Sequence, residues 1–169
     1  MLHFKTERLL LRSLNLDDAA FILELYNTPK WIAYIGDRGL REVEAARQYL
    51  TDKILPFQEK HGFGAWGIAL QSAPDVLIGT CGIYKRPELE HPDLGYAILP
   101  AYEGKGYTIE ACRTVLKIAK EHFDLSTLYA IVLPSNAASV GLLQRLSFQK
   151  IGTIHYEEDT LDQYALELN

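Results

Sequence analysis

The sequence has few cysteines, no long apolar run and no cluster of basic residues. Its two cysteines, Cys81 and Cys112, lie far apart in apolar patterns, so we expect reduced core residues and not a disulfide framework. The five histidines show no metal-ligand spacing, and we infer no metal. A formal net charge of −5 without a basic arm argues against nucleic acid as a main partner.

Membrane and export signals are also missing from the sequence. No apolar stretch approaches the roughly 20 residues that cross a bilayer. The first segment, MLHFKTERLLLRSLN, carries charges through its apolar run and does not resemble a signal peptide. We therefore expect a cytoplasmic protein with no membrane partner.

The apolar pattern predicts a single α+β domain over residues 1–169, since no linker, repeat or low-complexity run divides it. The predicted order is β-α-α-β-β-β-α-β-α-β-β, with one crossover between parallel strands, made by the third helix. Residues 28–40 form an aromatic-rich connection that contains Trp31 and Tyr34. These aromatic side chains either belong to a substrate lid or fill the core as a plug, and we favour the plug. Strands are predicted at 9–14, 65–70, 76–84, 93–99, 129–133, 148–155 and 161–168, and helices at about 15–26, 42–59, 107–122 and 137–146.

The stretch PAYEGKGYTIEAC, residues 100–112, places two glycines and a lysine just before an amphipathic helix. Glycines let backbone N–H groups turn outward, and a helix start adds free N–H groups, so the stretch predicts a phosphate site. An ordinary tight turn is the alternative. A dinucleotide fingerprint would need glycine where Ile109 stands, and a Walker loop would need Ser or Thr after Gly-Lys.

Longer segments resemble the GCN5-related N-acetyltransferase (GNAT) superfamily, specifically its ribosomal-protein N-terminal acetyltransferase branch. These segments are TERLLLRSLNLDDA, LIGTCGIY, DLGYAILPAYEGKGYTIEA and LPSNAASVGLLQRLSF, in family order. The resemblance implies acetyl-CoA as donor, a primary amine as acceptor and a pyrophosphate turn in the glycine loop. It further implies cofactor contacts from Ala97, Ile98, Leu99, Glu103, Gly104, Lys105, Gly106, Tyr107, Thr108, Asn136 and Ser139.

Three residues depart from the family pattern. Ala101 stands where Gln or Arg is usual, and Ser147 stands where glycine often precedes the last-motif phenylalanine. Leu143 occupies the place of the tyrosine that many members use as general acid. The commonest candidate for the acid is therefore missing.

Acetyl transfer needs a neutral amine and a proton for the departing thiolate. Neutralising an α-amine at pH 7 costs about 1.4 kcal/mol, and a lysine about 4.6 kcal/mol. Asp93 is the candidate general base, directly or through water, and a solvated aspartate beside Pro92 is the alternative. By the resemblance Ser139 lies near the sulfur and can protonate the thiolate. Asn136 can contact the pantetheine arm, cap the following helix, or do both.

Several alternatives stay open at this point. A CoA-binding sensor or scaffold without turnover is the main non-enzymatic alternative, and a larger acyl donor is a second enzymatic one. Protein N-termini are favoured as acceptors, with polyamines, amino acids and aminoglycosides as small-molecule alternatives. Tyr107 is expected to pack and Glu110 to be solvated. Nothing in the sequence specifies an oligomeric state.

Overall fold

The computed structural model describes residues 2–169, whose strands form one eight-stranded sheet with helices on both faces. The strands are β1 (His3–Lys5), β2 (Leu9–Ser13), β3 (Ala65–Leu70), β4 (Ala73–Tyr84), β5 (Asp93–Ile98), β6 (Thr127–Val132), β7 (Gln149–Tyr156) and β8 (Asp159–Glu167). The helices are α1 (Ala19–Tyr26), α2 (Pro29–Tyr34), α3 (Val43–Tyr49), α4 (Leu55–His61), α5 (Tyr107–Glu121) and α6 (Ala137–Arg145). A π-helical segment, Leu50–Ile54, joins α3 to α4.

The strand order is β1-β2-β3-β4-β5-β6-β8-β7, and every neighbouring pair is antiparallel except β5 and β6. Helix α5 makes the crossover between these two parallel strands. The α+β class and the single parallel crossover are therefore confirmed.

The first part of the chain holds two elements that the sequence analysis missed. Asn15 and Asp18 form a capping box that begins the first helical segment, inside the helix predicted at about 15–26. Strand β1 was missed because its three residues are too few to show an alternation of apolar and polar side chains. Helix α2 lies in the segment predicted as a connection, and its start carries a cap from Thr28 with proline next. Trp31 is 8% exposed and stacks on Tyr26, which supports the plug.

The sheet separates two apolar clusters. Helices α5 and α6 pack on one face, and α1, α2, α3 and the π-helical segment cover the other. The buried side of α5 holds Cys112, whose sulfur lies 3.7 Å from that of Cys81 on β4. Both cysteines are free and buried, as expected.

Strands β5 and β6 pair at one position only, Asp93 opposite Tyr129, and then separate. Beyond that point β5 continues to Ile98 with only β4 as partner. The N–H of Leu99 donates to the carbonyl oxygen of Ile78 on β4. Because backbone groups along a strand point alternately to its two sides, the N–H of Ala97 also faces β4. The backbone groups of Tyr96 and Ile98 consequently face the gap between β5 and β6.

None of the helices within residues 2–169 is long and apolar enough to cross a membrane. In the same part of the chain, no three His, Cys, Asp or Glu side chains converge to hold a metal ion.

Candidate active site

A cavity of about 750 Å³ passes through the gap between β5 and β6. At one end it reaches the glycine loop before α5, and at the other it opens among α1, α2 and α3. Its wall in the gap includes Gly95 to Ile98 from β5, Ala130 to Val132 from β6, and residues of α6. One channel therefore connects the predicted phosphate site with the helical face of the sheet.

The glycine loop presents a row of free N–H groups. Gly104 and Gly106 have φ values of +73° and +78°, which a residue with a Cβ adopts at a cost. Helix α5 has no side-chain cap at its start. Within residues 2–169 none of the N–H groups of residues 104 to 109 donates to a protein acceptor. Six free donors at a helix start favour an anion site over an ordinary tight turn.

Arg8, just before β2, fixes this loop from outside the cavity. Its Nη1 donates to the carbonyl oxygen of Lys105 at 2.9 Å, and its guanidinium lies 4.6 Å from the centre of the Tyr107 ring. Glu110 accepts from the Arg8 Nε at 2.7 Å and from Thr6. The expectation of a solvated Glu110 is therefore wrong, because this carboxylate is the anchor for Arg8. Hydrogen bonds from Thr6 and Arg8 outweigh desolvation and lower the pKa of Glu110.

Nine of the eleven predicted cofactor residues line the cavity, and the structure places Leu99 and Lys105 outside it. Leu99 is buried under the helices of the opposite face, and its N–H is bound to Ile78. Lys105 is exposed, and its carbonyl oxygen is taken by Arg8. Glu103 lines the cavity but pairs with Lys30 at 2.8 Å, which offsets its charge.

Ser139 has a partner that the sequence analysis missed. The hydroxyl of Tyr96, on β5, lies 2.6 Å from the Ser139 Oγ, and it also contacts the Ser139 carbonyl oxygen at 3.4 Å. Burial raises the pKa of Tyr96, so its hydroxyl stays protonated. With Tyr96 donating, the Ser139 O–H is free to donate into the cavity. An inward tyrosine on a central strand needs a partner for its hydroxyl, and that requirement was the available signal.

Asn136 caps α6 as predicted. Its Oδ1 accepts the N–H of Ser139 at 3.3 Å, and its side chain lines the cavity. The amide Nδ2 has no protein partner within residues 2–169. Capping therefore leaves a donor for a ligand.

Asp93 is buried and is not the solvated aspartate of the alternative reading. Only 1% of it is exposed, and both carboxylate oxygens accept from the Nε of Arg86 at 3.0 Å. The Arg86 Nη1 in turn donates to the hydroxyl of Tyr156 at 2.8 Å. Burial raises the pKa of Asp93 to about 6, against the opposing effect of Arg86. Asp93 is thus a stronger base than an ordinary aspartate, but it is held by an ion pair.

Comparison with known proteins identifies the family. The family described as Acetyltransferase (GNAT) domain matches residues 8–149. The uncharacterized N-acetyltransferase YoaA of Bacillus subtilis (strain 168) is 29% identical over 151 residues, which cover 89% of this chain and 84% of YoaA. The uncharacterized N-acetyltransferase p20 of Bacillus licheniformis is 31% identical over 158 residues, covering 90% and 86%. The chain therefore belongs to the GNAT superfamily and is an N-acetyltransferase.

Solved structures share the fold over almost the whole chain. An acetyltransferase from Agrobacterium tumefaciens str. C58 superposes with a TM-score of 0.81 at 25% identity, covering 99% of this chain and 95% of that one. RimL, described as a ribosomal L7/L12 alpha-N-protein acetyltransferase in complex with CoA, gives 0.83 at 16% identity, covering 99% and 98%. At 16% identity, the similarity to RimL shows a shared fold and nothing more.

We predict that Asp93 titrates near pH 6, well above its ordinary value of 3.8. Arg86→Gln should raise this pKa further, because burial then acts without the opposing charge. Since the folded pKa is raised, the stability linked to Asp93 is present below about pH 4 and is lost as the pH rises through about 6. Carboxyl carbon-13 NMR, assigned with Asp93→Asn, measures the midpoint. Arg41→Gln is the control, and a midpoint near 4 in the parent protein would contradict the prediction.

Proposed function

We propose that this protein transfers the acetyl group of acetyl-CoA directly to the α-amine of a protein N-terminus. The observation that carries the proposal is one cavity lined by five glycine-loop residues with free N–H groups, by an open strand edge and by the Ser139 hydroxyl. Acetyl-CoA needs a pyrophosphate site and a narrow passage for its extended pantetheine arm. The cavity fits that shape.

The donor end binds through the backbone. The N–H groups of residues 104 to 109 hold the pyrophosphate, and Arg8 keeps the Lys105 carbonyl oxygen turned away from it. The backbone groups of Tyr96 and Ile98 continue the β5 ladder toward the pantetheine amides. The free Nδ2 of Asn136 is a further donor on the opposite wall.

The chemical step needs two proton transfers from or to this chain. The acceptor nitrogen forms its bond to the acyl carbon as the carbon–sulfur bond breaks, and the nitrogen loses one proton. Ser139 gives its proton to the sulfur and is reprotonated by Tyr96, which lies within hydrogen-bond distance; Tyr96 recovers its proton from water that enters the cavity. Asp93 receives the amine proton through water.

The geometry around Asp93 supports an α-amine as acceptor. Arg86 occupies both oxygens of Asp93, which limits how readily this carboxylate can accept a proton from the acceptor. An α-amine needs only about 1.4 kcal/mol to be neutral at pH 7, whereas a lysine needs about 4.6 kcal/mol. The fold likeness to RimL, which is described as an alpha-N-protein acetyltransferase, agrees with this choice.

An amine panel with acetyl-CoA tests the proposed function. We expect turnover on peptides with a free N-terminus and little on the same peptides when that amine is blocked and a lysine remains. Gly104→Val should abolish turnover by weakening acetyl-CoA binding, because a branched Cβ is strained at φ +73°. Gly141→Ala is the matched control, since its Cβ would meet nothing within 4 Å. Tight acetyl-CoA binding without turnover on any amine would instead indicate a sensor or scaffold.

Ser139→Ala should lower kcat while acetyl-CoA affinity changes little, because the proton donor is lost and the backbone contacts remain. General-acid catalysis is worth about 10² to 10⁴ in rate. Tyr96→Phe should give a smaller loss in kcat, since Ser139 then draws its proton from water. Stopped-flow kinetics with calorimetry measures both quantities. If Ser139→Ala retains full kcat with chemistry rate-limiting, Ser139 is not the acid.

A further inference from the structure

The acceptor end of the cavity is lined by aromatic side chains with free hydroxyl groups. Tyr26, Tyr49 and Tyr84 all line it, and their hydroxyls make no hydrogen bond within residues 2–169. Burial raises the pKa of Tyr26 and of Tyr84, so both hydroxyls stay protonated at neutral pH and can donate hydrogen bonds. Trp31 stacks on Tyr26. Its Nε1 is the only buried side-chain polar atom within residues 2–169 that has no hydrogen-bond partner. These groups offer donors to a ligand.

The charged groups at this end are mainly basic, although the whole chain carries −5. Arg38 acts on Tyr26 and Arg86 on Tyr84, in each case lowering the phenol pKa against burial. Lys53 lies at the exposed rim of the cavity and has no ion-pair partner within residues 2–169. Three cations therefore surround the phenol cluster.

The opposing negative charge is small. Among residues 2–169, the carboxylates that line the cavity are Asp93 and Glu103: Arg86 holds both oxygens of Asp93, and Lys30 pairs with Glu103 at 2.8 Å. Glu157, at the turn between β7 and β8, lies 3.4 Å from the Nη1 of Arg38, but its side chain is 47% exposed. A long, exposed ion pair of this kind contributes little and can be replaced by a ligand.

Three chain segments meet at this point. Arg38 follows α2 and contacts Glu157, in the turn after β7. Arg86 follows β4 and donates to the hydroxyl of Tyr156, the last residue of β7. Two guanidinium groups from different segments therefore contact the β7–β8 hairpin at the acceptor end of the cavity. A guanidinium suits a carboxylate because its donors match the two oxygens.

We propose that the acceptor carries a carboxylate on the residue that bears its amine or on the next residue, and that Arg38 with the phenol hydroxyls of Tyr26 and Tyr49 binds that carboxylate. The inference rests on the proposed acetyl transfer and specifies its substrate class. An acidic N-terminal peptide and a free amino acid share this chemistry. Polyamines and aminoglycosides do not, and their extra positive charges would be repelled by the cationic mouth.

Matched acceptors test the charge preference and separate the two sources. Three peptides share the first residue and carry glutamate, glutamine or lysine at the second position, with spermidine as a polycation. Free alanine and alaninamide form the amino-acid pair. We expect kcat/KM for the glutamate peptide to exceed that for the glutamine peptide by about tenfold, and that for the lysine peptide by more. Free alanine exceeding alaninamide and all peptides would identify an amino acid as the source.

Two arginines of the same loop provide the variants. Arg38→Gln should cut the glutamate-to-lysine preference by about tenfold, and Arg38→Glu should reverse it. Arg41→Gln should leave the preference unchanged, because Arg41 pairs with Asp37 and does not line the cavity. A ratio between two substrates reports on recognition, since a general structural defect lowers both rates together.

The failures can be told apart. Lysine peptide or spermidine used as well as the glutamate peptide would overturn this inference and leave the proposed acetyl transfer standing. An equal loss on all acceptors in Arg38→Gln would overturn the role of Arg38. Acetyl-CoA binding with no acetylation of any amine would overturn the proposed function and this inference with it.

Discussion

Strands β5 and β6 are held together by one pair, Asp93 opposite Tyr129, and the site depends on their separation beyond it. A paired sheet would satisfy the backbone groups of Tyr96 and Ile98 and leave no passage between the faces. Their separation leaves these groups free and opens a channel through the sheet. Because unpaired backbone groups are costly when buried, the open edge is suited to a ligand with amides of its own.

Two arginines hold the two ends of the channel. Arg8 joins the start of β2 to the glycine loop and to Glu110, and so fixes the loop that carries the free N–H groups. Arg86 joins β4 to Asp93 and to Tyr156, and so sets the charge and shape of the acceptor end. In the proposed function, the first contact positions the donor molecule. The second limits the availability of Asp93 as a base, which suits an acceptor that is easily deprotonated.

Much of the fold could be predicted because its signals are local. The apolar run AWGIAL gave the bounds of β3 directly, and the glycines at 104 and 106 marked the start of α5. The site was only partly accessible. Ser139, Asn136 and the glycine loop are local motifs, whereas Arg8 meets Glu110 across 102 positions and Tyr156 meets Arg86 across 70. Contacts of that separation depend on the sheet order, which periodicity does not specify.

The same reason explains Tyr96. Its alternation places it on the α6 face of β5, but the hydroxyl of Ser139 reaches it only because β6 and α6 fold back over the gap. Leu143, at the family's usual tyrosine position, is buried in the core and offers no proton. A hydroxyl from the neighbouring strand stands beside Ser139 in its place.

Amide hydrogen exchange with and without acetyl-CoA tests the central claim most directly. At a ligand concentration about 100 times Kd, the amides of Tyr96, Ile98 and residues 104 to 109 should exchange about a hundredfold more slowly. The amides of β1, outside the cavity, should be unaffected. Unchanged exchange at Tyr96 and Ile98, with acetyl-CoA binding shown by calorimetry, would contradict a cofactor lying between β5 and β6.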